Sequence, residues 1–207
     1  MGFLKLARRP ALSCALFLLL PLNSLHAQGQ AYDGVWWQMR TASEQEGFIF
    51  GFGDCYADPG GQRIRMLIDD ADMRIAVSTY YQGHQKSRAR PVGQVLKDIW
   101  SGHTSVPRAK HAGAREGWRE RHGYFDGLWW KGSSSTEQLG FVEGYIACHG
   151  TEHRKARQFQ LSPASYVQSI NGWYASPADE TVAAQRRAEK IEDVLLRFNA
   201  KASTSGR

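Results

Sequence analysis

Cysteine and proline are scarce in this chain, three of one and seven of the other among 207 residues. Three cysteines are too few for the dense disulfide frameworks of small secreted scaffolds, so a hydrophobic core must carry the fold. Beyond the N-terminus no apolar run approaches the roughly 20 residues of a membrane helix. G-x-S-x-G, a phosphate loop and a dinucleotide fingerprint are all missing, which removes the usual marks of several enzyme classes. Acidic excess is missing too, with 26 Lys+Arg against 20 Asp+Glu and a formal charge of +6. What remains is 42% hydrophobic and 22% charged, a globular composition.

The first 27 residues have the layout of a secretory signal. Lys5, Arg8 and Arg9 form a positive start, Ala11 to Leu22 an apolar stretch, and Leu25-His26-Ala27 ends in a small residue. As a helix that stretch would span about 18 Å, short of a hydrocarbon core of about 30 Å. Export predicts a mature chain that does not span the membrane, with its formal charge reduced to +3 and Cys14 lost. Cys55 and Cys148 are left, either bonded in an oxidising compartment or as two buried thiols.

The chain also repeats itself. Residues 32–56, YDGVWWQMRTASEQEGFIFGFGDCY, align without a gap on residues 125–149, FDGLWWKGSSSTEQLGFVEGYIACH. Ten positions are identical, including Asp-Gly, Trp-Trp, Glu-Gln, Gly-Phe, a further Gly and the Cys. Asp33-Gly34 and Asp126-Gly127 are turn dipeptides. Ser43 with Glu46, and Ser135 with Gln138, fit capping boxes. Glu44 and Glu137 suit the positive end of the helix dipole. Gly47 and Gly51, like Gly140 and Gly144, share one helix face, predicting close approach of a backbone or a tryptophan ring.

Helical periodicity continues after each unit. Met73, Ala76, Val77, Tyr80 and Tyr81 make one stripe, with Asp72 as a cap; Val92, Val95, Leu96, Ile99 and Trp100 make another. Tyr166, Val167, Ile170, Trp173 and Tyr174 follow in the second half. A helix starting at Ser176-Pro177-Ala178-Asp179 would carry Ala184, Ala188, Ile191, Leu195 and Phe198 at heptad spacing. The fold class is therefore all-α, with two related three-helix halves. The boundaries are a signal peptide at 1–27, a first repeat at 28–102, a basic connector at 103–122, a second repeat at 123–200 and a flexible tail at 201–207. Residues 64–68 fit a short helical turn better than a strand.

Trp36-Trp37 and Trp129-Trp130 are core anchors first and a ligand platform second, with one ring of each pair buried and the other partly exposed. His149-Gly150-Thr151-Glu152-His153 matches an inverted zinc-protease signature, yet Gly150 and Thr151 are poor helix formers at a helix end, so no metal and no cofactor is expected. Asp69, Asp70 and Asp72 lack calcium-loop spacing and suit caps and turns. Glu143 stands where the first copy has Phe50 and is a candidate general acid without a nominated second carboxylate.

From His84 to His122 the count is nine Lys/Arg against three acids. Arg115 and Arg119 in this stretch are candidates for contact with an acidic protein or anionic envelope surface; nucleic acid is not expected as a partner. The pattern Gly47-Phe48…Gly51-Phe52, echoed by Gly140-Phe141…Gly144-Tyr145, precedes Val92 to Trp100 and Ile191 to Phe198. In this it resembles small periplasmic all-α proteins without an assigned activity, and is distantly similar to the immunity proteins that neutralise type VI secretion amidase effectors. Those are single units, whereas this chain is a tandem. The resemblance implies an exported, non-enzymatic protein that binds a protein partner in the envelope. The alternatives are an envelope hydrolase of glycan or peptide, centred on Glu143 or on His149 and His153, and a structural envelope component.

Overall fold

The computed structural model describes residues 32–57, 70–83, 85–103, 118, 122–152, 158–175 and 179–205. Among them are nine α-helices and no strand. They are α1 (Gly34–Gln38), α2 (Ala42–Ala57), α3 (Asp70–Gly83), α4 (Val92–Trp100), α5 (Gly127–Gly132), α6 (Ser135–Glu152), α7 (Pro163–Ala175), α8 (Glu180–Arg187) and α9 (Ile191–Ser205). A short 3-10 turn, Gln85–Ser87, precedes α4. No helix among the described residues is long and apolar enough to cross a membrane.

The centre of the molecule is the α2–α6 pair. A Cβ at Gly47 or Gly51 would run into the carbonyl oxygen of Glu137 or Phe141; one at Gly140 or Gly144 would meet that of Glu44 or Phe48. Contacts advance along both helices together, so α2 and α6 run parallel with their backbones touching through the glycine faces. Glycine costs roughly 1 kcal/mol in a helix. Here that cost is offset by backbone-to-backbone van der Waals contact that any side chain would prevent. At the far end of the pair Cys55 and Cys148 form a disulfide, Cα–Cα 6.1 Å. Its loop of 93 residues withdraws about 4–5 kcal/mol of conformational freedom from the unfolded chain.

Contacts around this axis recur 93 positions on, the spacing of the two cysteines, as far as Tyr81 and Tyr174, and 99 positions on beyond them. Asp33 caps α1 by accepting from the Val35 and Trp36 amides, and Asp126 caps α5 from those of Leu128 and Trp129. Gln45 donates to the Trp37 carbonyl and Gln138 to that of Trp130, both at 2.7 Å. The indole of Trp37 donates to Ser78 and that of Trp130 to Asn171. Tyr81 and Tyr174 lie where a Cβ at Gly34 and at Gly127 would fall, and their hydroxyls donate to the Arg90 and Glu189 carbonyls. Val92 then donates its amide to the Tyr32 carbonyl, and Ile191 to that of Phe125, tying α4 and α9 to the residues just ahead of the caps of α1 and α5.

The predicted stripes are core in most positions, but Tyr80, Val167, Trp173 and Phe198 are half-buried, and Ala184 and Ala188 are exposed while Ala183 turns inward. Met73, Ala76, Val77 and Tyr81, Val92 to Trp100 at the five striped positions, and Tyr166, Ile170 and Tyr174 are all buried. Six features differ from the sequence reading. Asp33 and Asp126 are N-caps of short helices and not simply turn residues, because their carboxylates accept two free amides each. The caps of α2 and α6 are Thr41 and Ser134, whose hydroxyls accept from the Glu44 and Glu137 amides, so Ser43 and Ser135 lie inside the first turn. Asp72 is likewise within the first turn of α3. The helix foreseen from Ser176 is two, α8 capped by Asp179 and α9, with a break that brings the Ile191 amide to the Phe125 carbonyl. The tail stays helical through Ser205, with Ser203 and Thr204 hydroxyls donating to Asn199 and Lys201 carbonyls. Trp118, inside the connector, is 1% exposed and packs on Trp100 and His122. Residues 1–27 and 64–68 lie outside the described residues.

Candidate functional site

Of the residues singled out beforehand, most serve the core. Trp36, Trp37 and Trp130 are buried, which removes them as a ligand platform; Trp129 is the partly exposed member. Both rings of the first pair are therefore interior, against the expectation of one in and one out. Short helices explain it: over five residues α1 lies down on α2, so Trp36 reaches Phe48 (4.9 Å between centroids) while Trp37 turns to Ser78. His149 is buried beside Tyr145 and Phe159. His153, Asp69, Arg115 and Arg119 lie outside the described residues. No group of three metal-ligating side chains occurs among the described residues. Asp70 faces His122 at 3.2 Å, joining the start of α3 to the end of the connector.

Glu143 does acquire a second carboxylate, and it is Glu44. Glu44 sits in the first turn of α2 beside the Gly140 contact, and Glu143 sits one turn further along α6. The two carboxyls are 5% and 4% exposed on touching helices, each with one oxygen, Glu44 Oε1 and Glu143 Oε2, that has no hydrogen-bond partner. Arg40, just ahead of α2, lies 3.1 Å from Glu44 and stacks its guanidinium 5.0 Å from the centre of the Trp36 ring. Tyr32 packs edge-on against Trp36 at 5.1 Å, within the field of Glu143.

Electrostatics follow from this enclosure. Burial pushes the Glu143 carboxyl up to about 7; Arg40 pulls it down, while Glu44 pushes it up both as a charge and as a hydrogen-bond partner. Burial, then the Glu143 charge, raises the Tyr32 phenol, so it stays protonated. One arginine, Arg40, acts on both carboxyls, and burial outweighs its pull on Glu143. A glycosidase holds its two carboxyls about 5–9.5 Å apart to admit a sugar and water. Glu44 and Glu143 are instead both buried, 5% and 4% exposed, where neither faces an open cleft. The arrangement can hold and release a proton. Sequence reasoning missed Glu44 because a dipole role explained it; the glycine spacing, paired across two parallel helices, was the signal that would have placed it beside Glu143.

No protein-family model matches the chain, and neither a curated protein nor a solved structure matches it.

Proposed function

We propose that this chain is an exported, non-enzymatic helical protein, built of two related halves with four and five described helices instead of the three expected of each, that binds a protein partner in the cell envelope as an immunity or inhibitor protein does. One observation carries the reading: apolar side chains stand out at matching places on the two short helices. Val35 is 50% and Leu128 63% exposed, with Met39 at 77%. The tryptophans beside them are anchored below, so α1 and α5 present these side chains on rigid supports, which lowers the ordering cost of binding. The Asp and Gln side chains shared by both halves are meanwhile spent on caps and on carbonyls of the scaffold. The signal-like N-terminus and the Cys55–Cys148 disulfide suit an oxidising envelope compartment.

The test is capture from envelope extract by the native protein and by a Val35→Asp, Leu128→Asp variant. Both positions are exposed, so the variant keeps the wild-type helical spectrum. A protein retained by the first and released by the second is the expected result. Equal capture, or none, overturns the reading. Mass spectrometry of the exported chain should find it beginning at Gln28.

A further inference from the structure

The parallel glycine contact sets two buried acids on touching helices, and among the described residues Arg40 is the cation that acts on both. Glu44 comes from α2 and Glu143 from α6. Neither is more than 5% exposed, and the Glu143 Oε2 has no hydrogen-bond partner as a bare acceptor. The groups acting on Glu143 are Arg40 and Glu44 from the α2 side, and Tyr32 from the segment leading into α1. Arg40 is committed to Glu44 at 3.1 Å. At the matching place on the other side of the axis stands Phe50, among Phe125, His122 and Trp129 rings. The acid pair is thus a feature of one side of the molecule, not a requirement of the α2–α6 packing.

We propose that Glu44 and Glu143 form a proton-operated latch between the two central helices: with one shared proton the carboxyls bind each other and close the junction of α1, α2 and α6, and without it they repel and loosen it. When the proton leaves, it passes to solvent, and two like charges remain in a poorly hydrated site beside the Arg40 guanidinium. The sign follows by linkage. A carboxyl that is harder to ionise in the folded chain adds stability in full below its unfolded value of 4.5, and that stability is lost as pH rises toward about 7. Glu137, also raised by burial, acts in the same direction, so the contribution of Glu143 must be read by difference.

The test is urea unfolding of the full, disulfide-bonded chain from about pH 4.5 to about pH 8, beside Glu143→Gln. Glutamine keeps a donor toward Glu44 and cannot ionise. The wild-type unfolding constant should rise across that range by up to roughly a hundredfold more than that of the variant. Parallel curves for the two proteins overturn the latch. If Glu143→Gln fails to fold, infrared titration of the wild type decides. A protonated-carboxyl band that fades with a midpoint near 7 supports the latch, and its absence at about pH 6 overturns it.

Discussion

Two sides of one axis solve the same packing problem with different chemistry. On one side Glu143 meets Tyr32, Arg40 and Glu44; on the other, Phe50 meets Phe125, Trp129 and His122. Where Arg40 stands beside Glu44 the aligned position is Ser133, and Phe50, aligned with Glu143, carries no charge that would need a cation. A second contrast lies further out. Arg90 pairs with Asp98 beside Tyr80, while Glu189 pairs with Arg197 beside Trp173, each pair eight residues apart and with the charges exchanged. Arg186 and Arg197 also lie over the Trp173 ring, at 4.2 and 4.5 Å from its centre. What the two sides share is backbone geometry: caps, glycine contacts and the carbonyl ties. Side chains lying over that frame are free to diverge in pairs, provided each new charge brings its partner.

Breaking the shared frame should have the largest effect. Gly51→Val drives a side chain into the Phe141 carbonyl, and we expect loss of more than about 4 kcal/mol, enough to leave the chain unfolded in circular dichroism. Gly150→Ala, on the same pair of helices but facing open space, should instead be neutral or stabilise by up to about 1 kcal/mol. Making the aromatic side resemble the acidic one comes next. Phe50→Glu removes four ring contacts and adds a carboxyl with no arginine at Ser133, for an expected loss of about 2–4 kcal/mol in urea unfolding. The smallest effect belongs to the outer ion pairs. Arg90→Glu with Asp98→Arg copies the polarity of the second half and should fall within about 1 kcal/mol of wild type, above the single Asp98→Arg variant, which sets two arginines side by side.

The legible parts of the fold were those whose signal is local. The stripes of α3, α4 and α7 repeat every turn, and their inward residues could be named in advance. Glycines four apart on α2 and α6 announced a close approach, though not that the partner would be the other glycine face. The tryptophan helices were invisible to periodicity because five or six residues make fewer than two turns. Their cap aspartates therefore resembled turn residues. The division of α8 from α9 was hidden for the opposite reason: Ala184, Ala188, Ile191 and Leu195 keep a heptad spacing straight through a break imposed by the Phe125 carbonyl. Glu44 beside Glu143 is a property of two helices in register, which neither helix carries alone.

The glycine pairing also imposes an order on how the molecule comes to be made. Synthesis runs from the N-terminus, so Cys55 and the strip of bare backbone above it exist while their partners, 93 residues downstream, do not. The native partners of that strip, the backbones of Glu137 and Phe141, arrive late, and contacts this distant in sequence form slowly. Throughout the wait the best-matched surface available is the same strip, with the same thiol, on a neighbouring nascent chain. Crowded production should therefore generate exchanged dimers cross-linked through Cys55, and dilute production should not.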